Sequence, residues 1–223
     1  MTDHPFAHGA ETRSVRIPPL GLEGALHMPA GARGLVIFAH GSGSSRLSPR
    51  NTAVARALNR RGLGTLLFDL LTDAEAEDRS NVFDIPLLAE RLMQAVAWTR
   101  ADPTLTTLPV GLFGASTGAA AALVAAARLR DGISAVVSRG GRPDLAGHAL
   151  EEVRAPTLLI VGGADHGVIE LNEQALERLA GPKALHIVPG ASHLFPEPGA
   201  LEAVMDLAGD WFQSRLARRA GGG

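Results

Sequence analysis

The chain has 223 residues, 46% hydrophobic and 20% charged, with a net charge of -2, the make-up of one ordinary globular domain. That balance gives no electrostatic reason to expect nucleic acid or an anionic membrane as a partner, and no apolar stretch is long enough to span a bilayer. The absence of cysteine excludes disulfides and thiolate metal sites. One lysine against twenty scattered arginines points to genome composition rather than to a phosphate-binding device. The opening residues are polar, without the apolar core of a secretory signal, so the cytoplasm is the expected location.

In chain order, residues 14–18 and 23–28 read as two short strands joined by a turn at Leu20-Gly21. Residues 34–39 form a buried strand that ends at His40-Gly41-Ser42-Gly43. Helical spacing of Val54 and Leu58, with Ala53 and Ala57, marks a helix over 50–61 that stops at Gly62. A strand over 63–68 ends at Asp69, and the acidic stretch 72–81 reads as an exposed loop. Residues 86–100 form an amphipathic helix with Leu88, Leu92, Val96 and Trp98 inward. The apolar run 108–113 leads into Gly114-Ala115-Ser116-Thr117-Gly118, followed by an Ala-rich helix over 119–129. Further strands are expected at 133–138, 157–161 and 184–188, a short helical or irregular segment at 142–152, and helices at 171–180 and 197–216. The chain is expected to be a single domain over 1–223, with flexible ends at 1–13 and 217–223.

Strand and helix alternate, and the strands are continuous apolar runs. That pattern predicts an α/β fold with a mostly parallel sheet covered by helices on both faces. Right-handed crossovers then bring every strand's carboxyl end to one edge, where ligands bind. Four polar motifs follow four strands and so share that edge: His40-Gly41-Ser42, Ser116, Asp165 and His193.

G-x-S-x-G between a strand and a helix is the setting of a nucleophile elbow, and serine, acid and histidine follow in the chain order of such hydrolases. A serine hydroxyl needs an imidazole to take its proton, and the imidazole needs a carboxylate to fix its tautomer. The expected catalytic residues are therefore Ser116, Asp165 and His193. Backbone N–H groups of Ser42 and Thr117 are the expected oxyanion hole. Asp165 has a competing role as cap of the helix that follows, and Asp144 is the substitute acid. His40 is expected to order the oxyanion loop rather than carry protons. His166 and the other histidines lack metal-ligand spacing, so no metal site and no cofactor are expected. Arg46, Ser48, Arg50 and Asn51 are placed to rim the pocket. Arg139 lies on the same edge, either holding an acidic group of the substrate or, as the favoured alternative, buried in an ion pair with Asp69 or Asp144.

These motifs, with Gly162-Gly163-Ala164-Asp165 and Gly190-Ala191-Ser192-His193, make the chain resemble the dienelactone hydrolase-like family of α/β hydrolases over residues 34–212. The resemblance implies the α/β-hydrolase fold and serine-type hydrolase chemistry. Dienelactone hydrolases proper carry a cysteine where this chain has Ser116, and lack the His-Gly-Ser-Gly loop in this form. A serine ester hydrolase of broader taste fits better. Only 139–155 is available for a lid in the segment where many relatives of this fold carry one, so an open site with a minimal lid or none is expected. Small or medium soluble esters, lactones or thioesters are the expected substrates. The alternatives are acyl transfer or promiscuous attack on phosphotriesters by the same residues, and non-catalytic ligand binding on the hydrolase fold. The expected partner is a small-molecule ester, with no nucleic acid and no membrane; a homodimer is compatible with the sequence.

Overall fold

Eight strands build one sheet in a computed structural model that describes residues 11–216. They are β1 (Glu11–Ile17), β2 (Leu22–Met28), β3 (Leu35–Ala39), β4 (Gly64–Phe68), β5 (Val110–Ala115), β6 (Ala135–Arg139), β7 (Thr157–Gly162) and β8 (Lys183–Val188). Their spatial order is β1-β2-β4-β3-β5-β6-β7-β8. β2 runs antiparallel to both its neighbours, and β4 through β8 pair in parallel. The α/β-hydrolase fold and the mostly parallel sheet are thus as expected. Residues 11–13 belong to β1 rather than to a flexible end, and Arg13 pairs with Asp102 at 2.8 Å. The remainder of the two expected flexible ends, 1–10 and 217–223, lies outside the described residues.

Seven α-helices accompany the sheet among the described residues: α1 (Pro49–Arg60), α2 (Asp73–Glu77), α3 (Arg79–Val82), α4 (Ile85–Ala101), α5 (Thr117–Leu129), α6 (His166–Arg178) and α7 (Ala200–Arg215). Successive strand residues point to opposite faces, so each central strand serves two cores. Leu35, Ile37 and Leu112 pack with Leu92, Val96 and Leu123 of α4 and α5. Val36, Phe38 and Phe113 pack with Val54, Leu58, Val204 and Phe212 of α1 and α7. The Phe38 and Phe113 rings meet at 4.8 Å between centroids. Each fully buried side chain of this size contributes about 2 kcal/mol. Both faces of a central strand being inside explains why those strands read as unbroken apolar runs. β8 is an edge strand, and five of its six residues are partly or fully exposed, Val188 alone being buried.

Two elements depart from expectation. The acidic stretch 72–81 is not a loop: Thr72 and Glu75 form a reciprocal capping box that starts α2, and Asp78 caps α3. α6 starts at His166, five residues before its expected beginning. The segment Pro143–Glu152 is 3-10 helical, broken at Gly147. Register aligns the carboxyl ends of the strands: Ala39 lies opposite Gly114, Ala115 opposite Arg139, and Gly162 opposite Val188.

Candidate active site

β5 ends at Ala115, and the next residue, Ser116, has backbone φ 51° and ψ -122°. A side chain in that region costs about 1–3 kcal/mol and persists only where its surroundings enforce it. The enforcement is visible in two glycines. A Cβ on Gly114 would lie 2.4 Å from Ala119 Cα, and one on Gly118 would lie 2.3 Å from the Ala39 carbonyl oxygen. Strand and helix therefore cross too closely for any side chain there. Ser116 occupies the N-cap position of α5 but makes no side-chain cap, which leaves its hydroxyl uncommitted to the helix. The Ser116 N–H donates to the Arg139 carbonyl at 3.3 Å, and the Ser116 carbonyl accepts from the Arg142 N–H at 3.1 Å.

Asp165 stands at the N-cap of α6, where its side chain also makes no cap. Its Oδ2 instead lies 2.6 Å from Nδ1 of His193. Of the two partners foreseen for this carboxylate, it contacts the histidine and not the start of the helix. The loops that carry the pair are stitched together, because the Ala164 N–H donates to the Ala191 carbonyl at 2.9 Å. The imidazole lies beside Gly140, just past β6: a Cβ there would sit 3.7 Å from His193 Cε1, and the carbonyl of the preceding Arg139 accepts the Ser116 N–H. Asp144 is engaged elsewhere, accepting from Nε and Nη2 of Arg142 at 2.9 and 2.8 Å. Ser192 donates to the Glu197 carboxylate through side chain and backbone, which holds that carboxyl below its ordinary range. No pattern in the sequence singled out Glu197.

On the opposite side of Ser116, the Ser42 N–H donates to Thr117 Oγ1 at 3.1 Å. This N–H, expected to serve the oxyanion hole, is held by a hydroxyl in the resting site. The Thr117 N–H is in the first turn of α5, where no intrahelical acceptor exists. His40 behaves as a structural residue. Its Nε2 accepts the Leu70 N–H at 3.1 Å, which requires that nitrogen to be unprotonated, and its Nδ1 faces the Gly41 carbonyl at 3.1 Å. Burial pushes its pKa below the ordinary 6.5, outweighing the Gly41 hydrogen bond and the Asp69 charge.

The family model for the dienelactone hydrolase family matches residues 25–211. The chain belongs to that family. A crystal structure named dienelactone hydrolase from Anabaena variabilis superposes with a TM-score of 0.90 at 56% identity, covering 94% of this chain and all of that one. Est1E from Butyrivibrio proteoclasticus, solved with ferulic acid, has a TM-score of 0.77 at 18% identity over 92% of this chain and all of its own, a likeness of fold alone. Two Mycobacterium tuberculosis proteins provisionally named phosphoribosyl transferases are each 58% identical over 198 residues, 89% of this chain. The chain spans only 45% of their length. Family membership and the Anabaena variabilis structure support a hydrolase; the names of the Mycobacterium tuberculosis relatives point to a different activity. No helix among the described residues is long and apolar enough to cross a membrane.

In this dienelactone hydrolase family member the rim arginines separate into two kinds. Arg46 is neutralised: its guanidinium pairs with Asp69, and with Glu23 at 2.5 Å, while its N–H donates to Asp69 Oδ1 at 2.7 Å. It lines the pocket as an ion pair rather than as a free cation. Arg139 is buried without a carboxylate partner among the described residues, so the favoured pairing with Asp69 or Asp144 is overturned, those two acids being held by Arg46 and Arg142. Ser48 caps α1, and Asn51 reaches Arg139. A cavity of about 380 Å³ adjoins the oxyanion loop, lined by Gly41, Ser42 and Thr117 and by Leu70, Leu71 and Val82. Part of its wall comes from α2 and α3, a segment between β4 and α4 where no lid was foreseen. A larger cleft of about 1050 Å³ opens at the amino ends of β5 and β6, away from Ser116, Asp165 and His193.

Proposed function

We propose that the chain is a serine hydrolase that cleaves carboxylic esters of small or medium soluble substrates through an acyl-Ser116 intermediate. The observation that carries this reading is the 2.6 Å contact of His193 Nδ1 with an Asp165 that declines to cap its own helix, on the edge where Ser116 is held in a strained elbow. Asp165 fixes the tautomer that leaves His193 Nε2 as the base. Ser116 Oγ attacks the ester carbonyl as His193 takes its proton. The oxyanion is met by the Thr117 N–H and by the Ser42 N–H, the latter turning from Thr117 Oγ1. His193 returns the proton to the leaving alcohol, then activates water to release the acid. The 380 Å³ cavity beside Ser42 and Thr117 takes one side of the ester, and its size favours groups of modest length.

The test pairs a fluorophosphonate probe with turnover of p-nitrophenyl acetate. Ser116→Ala is expected to lose both labelling and turnover while melting within a few degrees of the native protein. Near-native turnover by that variant would overturn the reading. Equal absence of label in both proteins would move the site to non-catalytic binding.

A further inference from the structure

Arg139 is only 6% exposed. Its Nη2–H donates to Asn51 Oδ1 at 3.3 Å, its Cζ lies 6.0 Å from the centroid of the Phe195 ring, and its Nε–H has no acceptor. The charge that acts on it is another cation, Arg50, near the start of α1. Arg50 is half-exposed, yet its Nε–H is also buried without an acceptor. Burial first, and the Arg50 charge second, push the Arg139 pKa down to about 10, which still leaves Arg139 charged at neutral pH.

An unmatched buried charge is destabilising, and a fold keeps one at a functional site when a ligand supplies the missing partner. The neighbouring arginines show that this rim can supply acids: Arg46 has Asp69 and Glu23, and Arg142 has Asp144. Arg139 has none among the described residues. Its place is also informative. Its carbonyl bonds the Ser116 N–H, and Phe195, two residues past His193, faces its guanidinium. Phe195 itself has φ 56°, a left-handed backbone that bends the His193 loop over the arginine.

We propose that Arg139 and Arg50 form a receptor for a phosphate-type dianion carried by the substrate of the adjoining serine. Charge balance selects the dianion, because a single carboxylate leaves one of the two cations unmatched. Guanidinium forks present parallel N–H donors that fit phosphate oxygens two at a time. The half-exposed Arg50 is the outer member and Arg139 the inner one. Only the identity of the rest of the ligand rests on the ester-hydrolase reading.

Thermal unfolding in inorganic phosphate, against sodium chloride of matched ionic strength, tests the receptor directly. The native chain is expected to show a saturable rise of about 5 °C. Arg139→Met abolishes the rise and Arg50→Gln reduces it. Ser116→Ala keeps it in full, so the receptor and the ester chemistry fail separately. Phosphate also competes with p-nitrophenyl acetate in the native protein, with an inhibition constant at least tenfold weaker in Arg139→Met. Having lost an unmatched charge, Arg139→Met melts no lower than native. Equal phosphate responses in native and both arginine variants would overturn the proposal, as would an equal response to acetate. A steep loss of stability in Arg139→Met, with the phosphate response of Arg50→Gln unaltered, would make Arg139 a structural residue instead.

Discussion

Asp165→Asn separates catalysis from folding more cleanly than any other change at this site. The carboxylate occupies a helix N-cap but caps nothing, and its measurable partner is His193 at 2.6 Å. An amide in its place no longer holds the imidazole in one tautomer, nor does it stabilise the imidazolium. In a protease triad the equivalent change lowers kcat about 10⁴-fold. Here the His193 side chain is 37% exposed and the Asp165 side chain 17%, so water takes over part of both tasks. We therefore expect a fall of about 10³-fold in kcat/KM for p-nitrophenyl acetate, or about 4 kcal/mol of transition-state stabilisation. Because no cap is lost, Tm should move by less than about 2 °C. Asp144→Asn is the matched control. It breaks a partly exposed pair with Arg142 worth up to about 1 kcal/mol, and turnover should stay within about threefold of native. Steady-state kinetics and melts of both variants, run together, decide the matter. An Asp165→Asn protein retaining a tenth of native activity, or an Asp144→Asn protein more damaged than it, would refute the assignment of the acid.

Thr117→Val removes the hydroxyl that receives the Ser42 N–H. Because the Ser42 N–H must leave that hydroxyl to meet the oxyanion, we expect kcat to rise by up to about tenfold with KM little changed, and Thr117→Ser to stay near native; a tenfold fall would mean that the hydroxyl positions the N–H instead. Gly114→Ala forces a Cβ to 2.4 Å from Ala119 Cα and should lower stability by about 3 kcal/mol, read as a drop in Tm of about 6–12 °C. His40 is neutral in the fold, with its pKa depressed below 6.5 by burial. The unfolded chain therefore takes up a proton on this group at a higher pH than the folded chain does. The stabilisation present above pH 6.5 is lost as pH falls through 6.5 toward the folded value. Urea unfolding between pH 7 and pH 5 should show a shallower pH slope for His40→Gln than for native; identical slopes would exclude the buried imidazole as the source.

The strands and the helix patterns were legible because both obey a local rule. β3 and β5 are apolar at every position since both faces are covered, and α1 shows Val54 and Leu58 at helical spacing. The elbow was legible for the same reason: Gly114 and Gly118 record a steric demand within five residues of Ser116. The capping box Thr72-x-x-Glu75 was also written in the chain, but its acidic setting disguised it as a loop. The edge position of β8 carries no such mark, because exposure depends on which strand lies beyond it.

Residue types and order alone led to the expectation that Ser116, Asp165 and His193 share one rim, since parallel crossovers leave a single carboxyl edge. Which acid reaches the imidazole, which N–H is held by a neighbouring hydroxyl, and which arginine lacks a counter-charge were decided by folding. Arg139 and Asn51 are 88 positions apart, and Arg46 meets Asp69 across 23. Pairing at such separations depends on the packing of α1 against the sheet, and charge satisfaction is a property of distance in space, which no local pattern in the chain encodes.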